Sequence, residues 1–294
     1  MTKRRFFIAD VFAEQPLAGN QVAVFVGSND LDTETMQALA REMNYSETTF
    51  VTKEPRDGAY PTRIFTPDRE LPFAGHPTLG TAAVVRALAR SKKKAPDEIE
   101  LDLEVGRVPV TFESKGDDTL GWLRPNPPRL GPTHAPDEAA RLLKLSVDDI
   151  DPRFPVQVVD VGIAFLLVPL RSLEALRTAR FDVDAWQDRR RLGDGVTGVY
   201  LFAPESYEEG HDMAARMFFE SIGPREDPAT GSASACVAAY IAAHRYFGDR
   251  GGEIRVEQGY EVARPSLVHL RMGPGDGDVA VGGRVQLIAR GRLL

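Results

Sequence analysis

Two similar heptads carry titratable residues at positions where proton-transfer chemistry is possible. One reads His76-Pro-Thr-Leu-Gly-Thr-Ala82 and the other reads Asp227-Pro-Ala-Thr-Gly-Ser-Ala233. Pro, Gly and Ala are identical between them, and Thr81 is exchanged for Ser232. Each heptad leads into a stretch of small residues that is typical of a buried helix. An imidazole and a carboxylate at matching positions suggest a pair of groups able to move a proton.

The start of each predicted helix also suits a negatively charged ligand. Pro77 and Pro228 are tolerated in a first helical turn, where the missing N–H group costs nothing. The free N–H groups and partial positive charge of a helix N-terminus bind anions such as carboxylates. A purely structural interpretation also remains open, in which His76 and Asp227 only cap their helices, since Asp is a good N-cap residue.

A third candidate is Glu47, in the segment Asn44-Tyr-Ser-Glu-Thr-Thr-Phe50. Its neighbours Met43, Tyr45 and Phe50 are apolar, which favours a partly buried carboxyl group suited to general acid–base catalysis. From the residues alone, a solvated loop residue remains an open interpretation, because acidic side chains are mostly exposed.

The elements that must position these residues repeat at half the chain length. Each heptad follows a predicted strand that contains Arg-x-Phe, at Arg63–Phe65 and at Arg216–Phe218. Such a repeat predicts two domains of one fold related by a pseudo-twofold axis, with both helix N-termini directed into the cleft between them. The segment 124–136 contains five prolines and is the predicted boundary. We therefore predict one domain over 1–125, joined by a final strand at about 279–294, and another over 126–278.

Helices are predicted over three segments, and short strands over most of the rest. The apolar spacing indicates helices at Leu31–Glu42, with Thr33 as N-cap, at Thr78–Ala89 and at Ala229–His244. The end of the chain is predicted as one strand, Val279–Ala289.

Composition excludes several classes of function. The 294 residues include 36 Lys+Arg and 43 Asp+Glu, a net charge of −7 that argues against a nucleic-acid surface. No apolar stretch is long enough to span a membrane. The only cysteine, Cys236, excludes any mechanism with two thiols in one chain and fits a cytoplasmic protein. The histidines lack metal-site spacing, and the glycines at 193–198 precede a strand instead of a helix. We predict neither a metal nor a cofactor.

Four motifs resemble those of a known family. They are DVFAEQPLAGNQVAVF (10–25), NYSETTFV (44–51), ELPFAGHPTLGTA (70–82) and EDPATGSASA (226–235). In this order they resemble the PhzF-like (phenazine-biosynthesis isomerase) family of the diaminopimelate epimerase superfamily. The resemblance implies an α+β fold with two similar domains, each a β-barrel-like sheet wrapped around a central helix.

The resemblance also implies roles for particular residues. Glu47 matches the family's principal acid–base, and His76 and Asp227 match its histidine and aspartate. The substrate carboxylate would bind to three residues, Gly75, Gly231 and Ser232. The expected activity is a cofactor-independent isomerisation of a small carboxylic acid by a homodimer.

Two other functions remain open at this point. The related epimerases use two cysteines, which both loops lack here, so a rival is an epimerase or racemase with Glu47 and Asp227 on opposite substrate faces. Another is a catalytically silent protein that binds a carboxylate.

Overall fold

The computed structural model describes residues 4–90, 95–115, 118–188, 192–193, 195–221, 223–248, 250, 252–273 and 278–293. The chain is α+β, as predicted. Its strands are β1 Arg5–Val11, β2 Asn20–Val26, β3 Glu47–Val51, β4 Tyr60–Phe65, β5 Glu70–Leu71, β6 Glu98–Leu103, β7 Gly106–Lys115, β8 Asp118–Leu123, β9 Arg129–His134, β10 Val156–Asp160, β11 Ala164–Pro169, β12 Val196–Ala203, β13 Met213–Ser221, β14 Gly223–Asp227, β15 Gly252–Gln258, β16 Ser266–Met272, β17 Val279–Gly283 and β18 Val285–Arg292. The α-helices are α1 Thr33–Met43, α2 Gly75–Arg90, α3 Pro136–Leu143, α4 Leu173–Thr178, α5 Val183–Gln187 and α6 Gly231–His244.

The chain divides into two compact units. Unit 1 contains Met1–Arg124 and Gly282–Leu294, and unit 2 contains Pro125–Val281. That the units are two copies of one domain, with the predicted boundaries and a barrel-like sheet in each, stays a prediction.

Unit 1 is a mixed sheet packed against α2. Strand β1 pairs antiparallel with β2 and β18, β2 pairs parallel with β3, and β4 pairs antiparallel with β3 and parallel with β6. Helix α2 contacts β1, β2, β3, β6, β7, β8 and β18. A Cβ atom at Gly80 would lie 2.6 Å from Cγ1 of Val22 and 2.9 Å from Cγ2 of Val11, so glycine lets the helix approach β1 and β2 closely.

Helix α1 covers the other face of this sheet. Its apolar side packs Met36 and Ala40 into a cluster with Phe25, Phe50 and Phe65. The N-cap is Asp32, whose side chain accepts a hydrogen bond from the Thr35 N–H at 2.8 Å, so the prediction of Thr33 was wrong by one residue.

Unit 2 has a comparable sheet and an added helical layer. Helix α6 contacts β9, β10, β11 and β16, and α4 packs on β12 and β13. Helices α3, α4 and α5 were not predicted, because segments of five to eight residues carry too little periodicity. The proline-rich segment 124–136 contains strand β9. Pro132 lies opposite a register shift in β10. Because the ladder is irregular there, the missing N–H group of the proline costs no regular strand hydrogen bond.

The end of the chain forms two strands instead of the single one predicted. Strand β17 ends at Gly283 and β18 begins at Val285. Strand β18 pairs antiparallel with β1 and is therefore part of unit 1.

Candidate active site

Glu47 is the first residue of β3 and is 8% exposed. Successive side chains of a strand point to opposite faces, and Phe50 packs in the cluster under α1. Glu47 has the opposite parity and is therefore directed to the face that α2 covers. The interpretation of Glu47 as a solvated loop residue is wrong.

His76 lies opposite Glu47, in the first turn of α2. Its ring is 5% exposed, and its Nε2 atom lies 3.3 Å from Oε2 of Glu47. Because α2 begins at Gly75, His76 is a helical residue rather than a cap. The fold therefore brings one buried carboxyl group and one buried imidazole into contact at the start of a 16-residue helix.

Burial also decides the charge of His76. It lowers the pKa of the imidazole to about 3, against a smaller opposing effect of a hydrogen bond with the Gln21 backbone. The ring is thus neutral at pH 7, and its contact with Glu47 is not an ion pair. The Nδ2 atom of Asn20, which is 1% exposed, lies 3.3 Å from Nδ1 of His76. Asn20 therefore holds one ring nitrogen, which leaves the other directed at Glu47.

Two threonines fix the distance between β3 and α2. The hydroxyls of Thr49 and Thr81 are 2.7 Å apart, and the Thr81 hydroxyl donates to the Pro77 carbonyl at 2.7 Å. Thr49 has the same parity in β3 as Glu47, and Pro77 follows His76. The hydrogen-bonded pair therefore ties the strand that carries the acid to the turn that carries the imidazole.

Asp227 is positioned differently, as the last residue of β14 in unit 2. It is 7% exposed, and one carboxylate oxygen accepts a hydrogen bond from the Thr230 hydroxyl at 2.6 Å. Gln258 donates to the Asp227 carbonyl at 2.8 Å and to the Thr230 hydroxyl at 3.1 Å. The N-cap of α6 is Thr230, without a side-chain cap hydrogen bond, so the interpretation of Asp227 as a cap is wrong.

The predicted carboxylate-binding residues all lie at helix N-termini. Gly75 is the first residue of α2, and Gly231 and Ser232 are the first two of α6. The N–H groups of a first helical turn have no partner within the helix and can bind an anion. The structure thus groups Glu47, Gly75 and His76 in unit 1, and it groups the other three predicted residues in unit 2.

Three residues of the site were missed by sequence reasoning. Thr49 and Thr81 were visible only as hydroxyl residues within the motifs, and Asn20 only as part of the motif that begins at Asp10. In the part of the chain that the structure describes, no three His, Cys, Asp or Glu side chains lie close enough to hold a metal ion. None of the helices there is long and apolar enough to cross a bilayer.

Comparison with known proteins shows which family the chain belongs to. A family model described as "Phenazine biosynthesis-like protein" (PhzC-PhzF) matches residues 9–291. The chain belongs to this family. It is 37% identical to a trans-2,3-dihydro-3-hydroxyanthranilate isomerase of Pseudomonas aeruginosa over 292 residues, which are 98% of both chains. This PhzF-type protein is accordingly an enzyme of the isomerase class.

Solved structures agree with this membership. A PhzF family protein from Bacillus anthracis superposes with a TM-score of 0.87 over 100% of both chains at 23% identity, which supports the fold alone. A predicted epimerase from Pseudomonas aeruginosa superposes with a TM-score of 0.83 over 99% of both chains at 35% identity. The PhzF-like fold predicted from four short motifs is therefore confirmed at the level of the family.

Proposed function

We propose that the protein moves a proton within a small, unsaturated or cyclic carboxylic acid, with Glu47 as general base and then general acid. The observation that carries this proposal is the buried contact of 3.3 Å between Glu47 and His76 at the start of α2. A carboxylate enclosed next to a neutral imidazole and a helix N-terminus has the groups that proton transfer at carbon needs.

The proposed reaction has two steps on one face of the substrate. The Glu47 carboxylate removes a proton from a C–H group, and the electron pair moves into the conjugated system of the acid. The carboxylic acid so formed at Glu47 then returns the proton to another carbon, and the double bond takes a new position. The N–H groups at the start of α2 stabilise the negative charge that develops between these steps.

His76 is proposed to assist without changing its own charge. A neutral imidazole can donate one hydrogen bond and accept another, so it can hold a polar substrate group or relay the proton of Glu47. Asn20 acts on it as a positioning residue, because it holds Nδ1 while Nε2 remains directed at the acid.

Asp227, Gly75, Gly231 and Ser232 are proposed to bind the substrate. The glycine and serine N–H groups would bind the carboxylate, and Asp227 would accept a hydrogen bond from a hydroxyl or amino group. Thr230 and Gln258 support this role because they fix the orientation of Asp227 before substrate arrives.

The substrate class is proposed from the relatives. A relative covered along 98% of its length acts, by its name, on trans-2,3-dihydro-3-hydroxyanthranilate, a cyclic unsaturated carboxylic acid with amino and hydroxyl groups. We propose a substrate of the same chemical class here. A cytoplasmic homodimer without a cofactor stays a prediction.

The test replaces Glu47 by glutamine and measures turnover on dihydroaromatic carboxylic acids, with solvent deuterium uptake in D₂O. Positioned acid–base chemistry contributes roughly 10²–10⁴-fold, so Glu47→Gln should lower kcat by about that factor and abolish deuterium uptake. The matched control is Glu42→Gln, an exposed glutamate of α1, which should keep full turnover.

Each other result has a distinct meaning. Wild-type turnover in Glu47→Gln would refute the assignment of the base. Deuterium uptake with loss of configuration at one carbon, and no movement of the double bond, would identify the rival epimerase. Binding of the acid without any exchange in the wild-type protein would identify the silent carboxylate-binding protein.

A further inference from the structure

A cavity of about 460 Å³ lies in unit 1, where β1 and β18 meet the end of α2. Its volume falls within the range of about 300–1,000 Å³ that is typical of small-molecule pockets. Five of its lining residues matter for what it can bind, and together they are called the arginine pocket: Arg5, Phe7, Leu88, Arg290 and Arg292. None of the candidate active-site residues lines it.

Three positive charges converge on this cavity from two paired strands. Arg5 is directly opposite Arg292 in the antiparallel pair of β1 and β18, and Phe7 is opposite Arg290. Because side chains two residues apart share a face, all four lie on one side of the sheet. Like charges directly opposite each other destabilise a strand pair. The pair of Arg5 and Arg292 therefore carries an electrostatic cost in the ligand-free protein.

Some arginines of unit 1 have acidic partners, whereas within the described residues no acidic partner joins the three of the arginine pocket. Arg4 pairs with Asp30, and Arg63 pairs with Glu70. Within the described ranges, no ion pair or side-chain hydrogen bond joins the guanidinium groups of the arginine pocket to another residue, and all three side chains are exposed. Their five N–H donors each are available to a ligand.

The remaining walls of the arginine pocket are apolar. Phe7 and Leu88 are half-buried and line the same cavity as the three arginines. A guanidinium binds carboxylate or phosphate through two parallel hydrogen bonds, and an aromatic wall offers a face to a planar ring. The two kinds of wall together suit a molecule with a charged end and an apolar body.

We propose that the arginine pocket is a binding site, separate from the catalytic residues, for an organic anion that carries two or more negative charges and an apolar ring. The charged end is a phosphate or a pair of carboxylates, bound by Arg5, Arg290 and Arg292. The ring lies against Phe7 and Leu88.

A structural role for the arginines makes a different prediction. The carbonyls at the end of α2 carry a partial negative charge that arginines could stabilise, and removing those arginines would then lower the melting temperature. If the arginines serve a ligand instead, Arg292→Gln relieves the repulsion with Arg5. The melting temperature of the ligand-free protein should then stay unchanged or rise.

The experiment titrates the full-length protein with three probes by calorimetry: phenyl phosphate, phthalate and inorganic phosphate. Hydrogen bonds to charged groups are each worth about a tenfold change in affinity, so each Arg→Gln replacement in the arginine pocket should weaken binding of the tighter organic probe by about tenfold. The matched control is Arg107→Gln, which removes an exposed arginine of the same unit and should leave affinity and turnover unchanged.

The outcomes separate the possible ligands and can overturn the proposal. Tighter binding of phenyl phosphate indicates a phosphorylated ligand, and tighter binding of phthalate indicates a dicarboxylate. Equal binding of inorganic phosphate and phenyl phosphate would overturn the apolar part of the site. The whole proposal fails if neither organic probe binds, if the Arg→Gln variants bind like wild type, or if Arg292→Gln lowers the melting temperature.

Discussion

The two heptads are similar in sequence, but the chain folds them differently. In unit 1 the whole heptad from His76 to Ala82 is helical, because α2 begins at Gly75. In unit 2 the helix begins only at Gly231, so Asp227 ends a strand and three residues form a connection. The difference exceeds the one or two residues by which helix ends are uncertain. Similar spacing thus yields an imidazole on a helix in one unit and a carboxylate on a strand in the other.

The partners of each segment explain this difference. In unit 1 the Thr78 hydroxyl donates to the Ala74 carbonyl at 2.6 Å, within the first helical turn. In unit 2 the side chain of Gln258 takes the place of helical hydrogen bonds, since it binds the Asp227 carbonyl and the Thr230 N–H. One glutamine outside the motif therefore satisfies backbone groups at both ends of the connection that precedes α6.

In both units the Arg-x-Phe strand before the heptad forms the same arrangement, which is called the clamp. Its arginine binds a glutamate and lies against the ring of the phenylalanine. Arg63 binds Glu70 through two hydrogen bonds of 2.6 Å, and its guanidinium lies 5.0 Å from the ring centre of Phe65. Arg216 binds Glu226 at 2.9 and 2.7 Å and lies 4.8 Å from the ring of Phe218. The pairing is a shared feature of the two units that the sequence repeat alone did not reveal.

The two clamps differ in their burial. The Arg63 and Glu70 side chains are 36% and 31% exposed, but those of Arg216 and Glu226 are only 5% and 9% exposed. In unit 2 the guanidinium also donates to the carbonyls of Leu176 and Ala179, at the end of α4. The helical layer added to unit 2 therefore turns a surface ion pair into a buried one.

The largest effect on stability is expected from Arg216→Ala. Removing one partner of a buried pair leaves the other charge uncompensated, which costs about 3–5 kcal/mol. We expect the free energy of unfolding in urea to fall by that amount. The double variant Arg216→Ala/Glu226→Ala should recover part of the loss, and a loss below 1 kcal/mol in the single variant would show that burial does not matter here.

The next largest effect is the change in the free energy of unfolding with pH, and it arises from unit 1. The pKa of His76 is about 3 in the folded protein and about 6.5 in the unfolded chain, so between these values only the unfolded state binds the proton. Stability is therefore lost as the pH falls, by about 3 kcal/mol between pH 6.5 and pH 4.

The measurement is the urea midpoint as a function of pH for wild type and His76→Gln. The variant should have a flatter profile over this range, because the group that titrates on unfolding is gone. Parallel profiles for the two proteins would mean that the buried imidazole does not take part. Glu47 faces His76, so the same profile in Glu47→Gln checks that the acid is not responsible.

The sequence predicted the three long helices better than their ends, and it did not predict the three short ones. The central parts of α2 and α6 are buried on most sides, and their small apolar residues made both helices visible. The connection before α6 is held by Gln258, which is about 30 residues away from the heptad in the sequence. A hydrogen bond between distant residues leaves no pattern in the local sequence.

The same limit applied to the candidate site. Glu47 and His76 were named from residue type and from family resemblance, but their contact depends on how α2 crosses β3. Gly80 lets α2 approach β1 and β2 closely, and the hydroxyls of Thr49 and Thr81 join β3 to α2. Residues that only set the distance between a strand and a helix cannot be recognised from the sequence, because their partners are known only from the folded structure.

The smallest effect is expected from Arg63→Ala, the counterpart of Arg216→Ala. Exposed ion pairs contribute about 0–1 kcal/mol, because water and salt screen them and both side chains lose rotational freedom. We expect a loss of at most about 1 kcal/mol, which decreases further in high salt. Arg63 also donates a hydrogen bond to the Thr33 hydroxyl of α1 at 3.0 Å. Arg63→Lys keeps the positive charge and therefore serves as the control for the loss of charge. If Arg63→Ala cost as much as Arg216→Ala, the sequence motif rather than the layer above it would determine the strength of the clamp.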